Sequence, residues 1–271
     1  LYLGWIRKQE NESTNLPEEL KVTAQRHLQN CKDCHDRMVE GLSLLRSNEN
    51  VRNAFVFMNE AMLQQQIHYK LPLSKWKYLN EDLVLENQIE IPNISDERSW
   101  YNPEGKEVYG IWRPFQIAFI LLNLKQIADK SDTSREIVDL IWFPTGGGKT
   151  EAYLGLSAFT IFFRKLTDRN DDGTAILMRY TLRLLTAQQY ERAASLICAC
   201  ELIRKSNSDL LGVNRITAGL WVGGETTPNK MNVGNNSAVT IYQELYNGAR
   251  DENPFILLKC PWCGAQMGVV E

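Results

Sequence analysis

The spacing of apolar residues divides the chain into three regions. Residues 1–70 show mostly helical spacing with few β-branched runs, and the polar stretch 47–50 predicts a break between two helices. Residues 71–110 mix prolines with clusters of Asn, Asp and Ser, which is the composition of an irregular linker. Across residues 111–271, apolar runs of strand length alternate with helical patterns. We therefore expect a mainly helical N-terminal region, a linker and an α/β domain.

Three apolar runs in the last region have the length of buried strands. They span residues 137–143, 174–179 and 216–222. Strands that alternate with helices are typical of a parallel sheet covered by helices. The predicted fold class is therefore α/β, with a parallel sheet flanked by helices.

A glycine-rich turn follows the first of these runs and precedes a helical pattern. Its sequence over residues 144–150 is Pro-Thr-Gly-Gly-Gly-Lys-Thr. Successive glycines let backbone N–H groups surround a polyphosphate, and the N-terminus of the following helix adds partial positive charge. Lys149 adds a full charge, and the Thr150 hydroxyl can ligate Mg²⁺. A plain glycine-rich turn explains the glycines but not the Lys-Thr pair at the helix start.

The loop therefore predicts a site for ATP and Mg²⁺ in which Lys149 and Thr150 take the catalytic roles. The loop residues predicted to bind the nucleotide are Thr145, Gly146, Gly147, Gly148, Lys149 and Thr150.

A second part of the nucleotide site is predicted upstream, at Arg113 and Gln116. A glutamine just before a helix can offer an acceptor and donors together to N6 and N7 of adenine. Trp112, Phe115 or Tyr109 is suited to stack on the base. The alternative is that Trp112, Phe115 and Ile117 anchor a helix in the core and that Gln116 is a solvated first-turn residue. Because a phosphate loop follows, we prefer the adenine interpretation.

Polar and basic residues follow the second apolar run, where the next helix is predicted to begin. Ligands bind at the carboxyl ends of strands in open α/β sheets, and helix N-termini with arginines suit nucleic-acid phosphate. A Gly-Gly turn after the third run permits close approach of a sugar–phosphate chain. The alternatives are a solvated helix start with surface ion pairs, and an ordinary turn. The predicted DNA-binding residues are Arg179, Thr181, Arg183, Gln188, Gly223 and Gly224.

Six cysteines fall into three close pairs, Cys31/Cys34, Cys198/Cys200 and Cys260/Cys263. The last pair flanks Pro-Trp on a turn followed by glycine, which is the shape of one zinc knuckle. A structural zinc ion needs four ligands, so the other ligands lie beyond residue 271, or come from the first pair, or the site is empty. We favour the first arrangement. The middle pair stands two residues apart in a predicted helix and is expected to pack as separate thiols.

Overall charge gives no electrostatic case for nucleic-acid binding, because the formal net charge is −3. Any such surface must be local. No apolar run reaches the length of a membrane span, and the first residues lack the pattern of a secretory leader. We therefore expect a cytoplasmic protein with reduced cysteines. The first residue is not Met, which indicates a trimmed or partial chain.

In their order, these motifs resemble the first RecA-like domain of a superfamily-2 helicase or translocase. They are a Gln motif at 113–116, the phosphate loop at 144–150, a motif Ia-like segment at 179–189 and a Gly-Gly motif at 223–224. The resemblance implies a RecA-like P-loop sheet, ATP hydrolysis and movement along DNA. Two positions depart from the usual patterns: Phe143 stands where the loop normally has glycine, and Leu182 stands where threonine precedes the arginine.

More narrowly, the sequence around 142–204 resembles DISARM-type helicases, which implies defence of bacteria against phage DNA together with a partner subunit. Helicases of this superfamily place Asp-Glu on a later strand and arginine fingers on a second RecA-like domain. Neither is identifiable up to residue 271. We therefore expect an N-terminal portion of a larger motor that acts on single-stranded DNA or a duplex end.

Three other functions compete with the helicase hypothesis. The motor subunit of a restriction-type nuclease fits the phosphate loop equally well. A nucleotide-dependent switch or small-molecule kinase is disfavoured, because nothing in the sequence indicates a lid over an acceptor substrate. A non-catalytic scaffold would dock a partner through residues 1–70 and carry a vestigial loop.

Overall fold

Two compact units make up this computed structural model. The structure describes residues 1–86, 110–142, 144, 146–180, 183–222, 227–228, 230–232, 234–251 and 253–268. One unit combines Leu1–Asn59 with Ile111–Asp171, and the other combines Glu60–Gly110 with Asp172–Glu271. The chain therefore enters the second unit at Glu60, returns to the first at Ile111 and enters the second again at Asp172.

The first unit is a set of packed helices. They are α1 (Tyr2–Ser13), α2 (Glu18–Ser47), the beginning of α3 (Glu49–Tyr69), α4 (Pro114–Ala128) and α5 (Lys149–Thr167), with a short 3-10 turn at Thr133–Glu136. Helix α1 packs on α2, α2 on α4, and α4 on α5. Their apolar faces bury side chains that include Ile6, Met58, Ile120, Leu124, Phe159 and Phe162.

The break between α2 and α3 falls at Asn48, within the stretch where the sequence predicts it. The Asn48 backbone is extended, and its side-chain oxygen accepts a hydrogen bond from the Val51 backbone N–H at 3.1 Å. An asparagine in this position caps the first turn of the next helix, because it satisfies an N–H that has no partner inside the helix. The predicted break is confirmed.

The second unit contains the end of α3, a hairpin and three further helices. These elements are β1 (Trp76–Leu79), β2 (Asp82–Leu85), α6 (Arg183–Ser206), α7 (Ser208–Leu211) and α8 (Ala238–Tyr246). The hairpin turns at Asn80 and Glu81, which both have positive φ, at 52° and 69°. Positive φ at both central residues is the geometry of a type I′ turn, whose twist matches antiparallel strands.

The predicted fold class is wrong for the part of the chain that the structure describes. That part is mainly helical, and its sheet is the antiparallel pair β1–β2 rather than a RecA-like parallel sheet. Residues 137–142, 174–179 and 216–222 have no regular secondary structure and join no strand ladder. Several of their apolar side chains are exposed, and Val138 and Trp142 expose 93% and 90% of their surface.

The error has a physical cause. An apolar run of strand length signals extended backbone, but a strand also needs a neighbour that completes its hydrogen bonds. That neighbour comes from elsewhere in the chain, so the sequence of the run does not show whether it exists.

None of the helices in the described ranges combines the length and the apolar character that crossing a membrane requires.

Candidate nucleotide site

The glycine-rich loop leads directly into α5 in the first unit. Helix α5 begins at Lys149, and Gly148 before it has a φ of +88°, in the left-handed region that favours glycine. Gly146 has a φ of +79°. The Lys149 ammonium donates a hydrogen bond to the Pro144 carbonyl at 3.1 Å, so the side chain reaches back across the turn. A turn that presents backbone to the N-terminus of a long helix is suited to bind an anion.

Two side chains from the start of α4 reach the loop. Arg113 Nη1 donates to the Gly147 carbonyl, and Gln116 Nε2 donates to the Gly148 carbonyl, both at 2.7 Å. The Gln116 side-chain oxygen accepts the Arg113 backbone N–H at 2.7 Å, which caps the first turn of α4. Gln116 is buried, with 3% of its surface exposed, so it is not the solvated residue of the alternative interpretation. The predicted Gln motif and the predicted phosphate loop are therefore in direct contact.

Trp112 fixes the start of α4 within the first unit. Its indole N–H donates to the Asn59 side-chain oxygen at 2.7 Å. Its ring lies so close to α5 that a methyl group added at Gly155 would come within 2.6 Å of it. Trp112, one of three residues suggested for base stacking, is thus a packing residue between α3, α4 and α5.

The segment that leads to the loop is anchored by an ion pair that the sequence did not predict. Arg37 of α2 binds both carboxylate oxygens of Asp139, with N–O distances of 2.8 and 2.7 Å. Arg37 also donates to the Gln126 side chain of α4 at 3.2 Å. Hydrogen bonding to Asp139 raises the pKa of Arg37. The two charged residues are 102 positions apart, and no local pattern links them.

The predicted DNA-binding residues do not belong to the same unit as the loop. Arg179 is exposed in a segment without regular secondary structure before α6, Arg183 is the first residue of α6, and Gln188 is exposed on that helix. These residues belong to the second unit. The remaining predictions, Thr145 of the loop together with Thr181, Gly223 and Gly224, lie outside the described residues.

Cys260 and Cys263 lie on a tight turn in the second unit. The Gly264 N–H donates to the Cys260 carbonyl at 2.9 Å, and the Cys260 N–H donates to the Ala265 carbonyl at 2.7 Å. Burial raises the pKa of the Cys263 thiol, while a hydrogen bond from the Ala265 backbone acts in the opposite direction. Two cysteines on one tight turn could supply half of the four ligands of a structural zinc ion.

The Cys198 thiol on α6 belongs to the same unit as this turn. Burial is the main cause that raises the pKa of Cys198, and the thiols of Cys260 and Cys263 raise it further. His68 of α3 stacks on Trp262 of the knuckle, with ring centroids 3.4 Å apart. Cys31 and Cys34, the other pair considered for zinc, belong to the first unit.

A complete metal site is not formed by these side chains. Within the part of the chain that the structure describes, no three His, Cys, Asp or Glu side chains stand together in an arrangement that could hold a metal ion.

Comparison with known proteins gives one extended similarity. No family model matches the chain. Over 276 aligned residues, the chain is 34% identical to the DISARM protein DrmA of Bacillus paralicheniformis, and the match covers 98% of this chain and 22% of DrmA. The chain thus spans about a fifth of the length of that relative. Along almost its whole length, this chain is similar to a part of the DISARM protein DrmA.

Proposed function

We propose that this chain is the nucleotide-binding part of an ATP-dependent DNA helicase or translocase that acts in bacterial defence against phage. The observation that carries the proposal is the loop before α5, where glycines with positive φ precede Lys149 at a helix N-terminus. The similarity to a DISARM protein supports the role in defence and an assembly with other proteins of such a system.

In this proposal, the loop holds the phosphates of ATP. The backbone N–H groups of Gly148 and of the first turn of α5 face the anion, and Lys149 supplies positive charge. We assign Thr150, the second residue of α5, to bind Mg²⁺, which would neutralise phosphate charge. The Gln116 amide keeps one N–H and one oxygen lone pair beyond its two hydrogen bonds, and we assign these to the adenine edge.

DNA binding is assigned to the segment before and at the start of α6. Arg179 is exposed, and the helix N-terminus that follows favours negative charge. Contacts to phosphate carry no sequence information, so this surface would follow the backbone of any DNA strand. Thr181, Arg183, Gln188, Gly223 and Gly224 complete the proposed strand-binding set.

ATP hydrolysis by the intact protein, with and without single-stranded DNA, tests the proposal. We expect turnover that DNA stimulates, and we expect Lys149→Ala to abolish it, because the lost charge faces phosphate rather than the core. Lys130→Ala, an exposed lysine after α4, is the matched control and should keep wild-type turnover.

Each other result supports a different function. Phosphoryl transfer that ignores DNA would indicate a kinase or switch, and absence of nucleotide binding would indicate a scaffold. Hydrolysis that survives in Lys149→Ala would refute the motor assignment.

A further inference from the structure

The start of α4 holds two successive carbonyl groups of the phosphate loop. Arg113 binds the Gly147 carbonyl and Gln116 binds the Gly148 carbonyl, each at 2.7 Å. The two donors are also joined to each other, since the Gln116 side-chain oxygen accepts the Arg113 backbone N–H. Neither hydrogen bond involves a group that a nucleotide would occupy, so both can persist when the site is filled.

Peptide geometry fixes the direction of the N–H groups that follow these two carbonyls. In a trans peptide, the carbonyl of one residue and the N–H of the next point in opposite directions. The described peptide bonds include no cis bond. When the Gly147 and Gly148 carbonyls point toward α4, the N–H groups of Gly148 and Lys149 must therefore point to the opposite side. Those N–H groups belong to the turn and the first residue of α5, where a helix has no internal acceptors for them.

We infer that Arg113 and Gln116 are positioning residues that hold the phosphate loop in its anion-binding conformation, whichever base the nucleotide carries. The inference rests on the proposed nucleotide-binding function of the loop. It gives Gln116 a role that is separate from recognition of adenine. It also gives Arg113 a role in which its guanidinium acts through the loop backbone and not through direct contact with phosphate.

The support for the loop is itself fixed in place. Trp112, the neighbour of Arg113, is hydrogen-bonded to Asn59 of α3 and packed against Gly155 of α5. Gln116 is buried, so water does not readily compete for the hydrogen bonds of its side-chain amide. The loop is therefore held against a rigid helix start, and less conformational entropy is lost when an anion binds.

The space around Gly148 agrees with this role. A methyl group added at Gly148 would lie 2.7 Å from the Gln116 amide nitrogen, whereas one added at Gly146 would meet no atom within 4 Å. Close approach of Gln116 to the loop backbone is thus possible only because position 148 is glycine.

Binding of an anion that carries no base distinguishes positioning of the phosphate loop from recognition of the base. We would titrate the intact protein with ATP, GTP and inorganic tripolyphosphate, each with Mg²⁺, by isothermal calorimetry. Arg113→Met and Gln116→Met keep side-chain length but remove the donors. Each should weaken all three ligands by about tenfold, since one lost hydrogen bond of this kind corresponds to roughly that factor. Arg113→Lys, which keeps a charged donor, should recover part of the loss.

Arg135→Met is the matched control, because Arg135 also donates to a backbone carbonyl in the first unit, that of Gln126 at 2.6 Å. It should bind all three ligands as the wild type does. Hydrogen exchange of residues 146–150 without ligand should rise in the Arg113 and Gln116 variants and stay unchanged in the control, which a purely ligand-contacting role would not produce.

Two outcomes overturn the inference while leaving the nucleotide site intact. One is unchanged tripolyphosphate affinity in both Met variants, and the other is a loss confined to ATP in Gln116→Met. A wild-type protein that binds none of the three ligands would instead refute the proposed function, and the inference with it.

Discussion

Gly41 lies where α2 crosses α4, and replacing it with alanine should destabilise the first unit. A methyl group built at Gly41 would stand 2.1 Å from the Leu121 carbonyl oxygen and 3.0 Å from its carbonyl carbon. Both obstacles are backbone atoms of α4, so no side-chain rotation can relieve the collision. The two helices must move apart, and α4 is the helix whose start holds the phosphate loop.

The size of the effect follows from two opposing contributions. In an unobstructed helix, Gly→Ala stabilises by about 1 kcal/mol, because alanine loses less backbone entropy on folding. At Gly41, restoring ordinary contact means increasing the separation from 2.1 to 3.4 Å, a shift of 1.3 Å between packed helices. Overpacking of this kind costs about 3 kcal/mol. The expected net loss is therefore about 2 kcal/mol of unfolding free energy.

Gly4 in α1 is the matched control, since a methyl group there would meet no atom within 4 Å. Gly4→Ala should stabilise by about 0.5–1 kcal/mol. Urea unfolding of the intact protein, followed by hydrogen exchange of peptides from α2 and α4, measures the first unit separately. The same substitution in two helices should thus have opposite signs. A Gly41→Ala protein as stable as the wild type would show that α2 and α4 do not cross as closely as described.

Three further predictions concern an ion pair, a metal site and DNA. Arg37→Met should lower the unfolding free energy by about 3 kcal/mol, because it leaves the Asp139 carboxylate without its bidentate partner. Adding Asp139→Leu should restore most of this loss in the same unfolding assay. A double variant less stable than the single one would contradict this prediction. Zinc analysis of the intact protein should find one ion that protects Cys260 and Cys263 from alkylation, and reactive thiols at both positions in zinc-replete protein would count against the knuckle. Arg179→Ala should weaken single-stranded DNA equally for all sequences and reduce the salt dependence by roughly one phosphate contact, whereas unchanged affinity with a lower melting temperature would make Arg179 structural.

The local sequence largely determined the helices and the glycine-rich loop. The break at Asn48 follows from a polar stretch with a capping residue, and the start of α5 and most of α6 follow from apolar spacing, because helical hydrogen bonds join residues only four apart. The glycine-rich turn before Lys149 could be predicted for the same reason. Its glycines are required by the backbone conformation of a few adjacent residues.

The tertiary structure alone decided which segments pair and which side chains meet. The runs around Val138 and Leu177 look like strands, but whether a strand forms depends on a distant neighbour, and the described residues supply none. Likewise, the sequence placed Gln116 near a nucleotide, but its contact with the Gly148 carbonyl joins residues 32 positions apart. Hydrogen bonds of that separation depend on how helices pack, and packing is a property of the whole unit rather than of any local pattern.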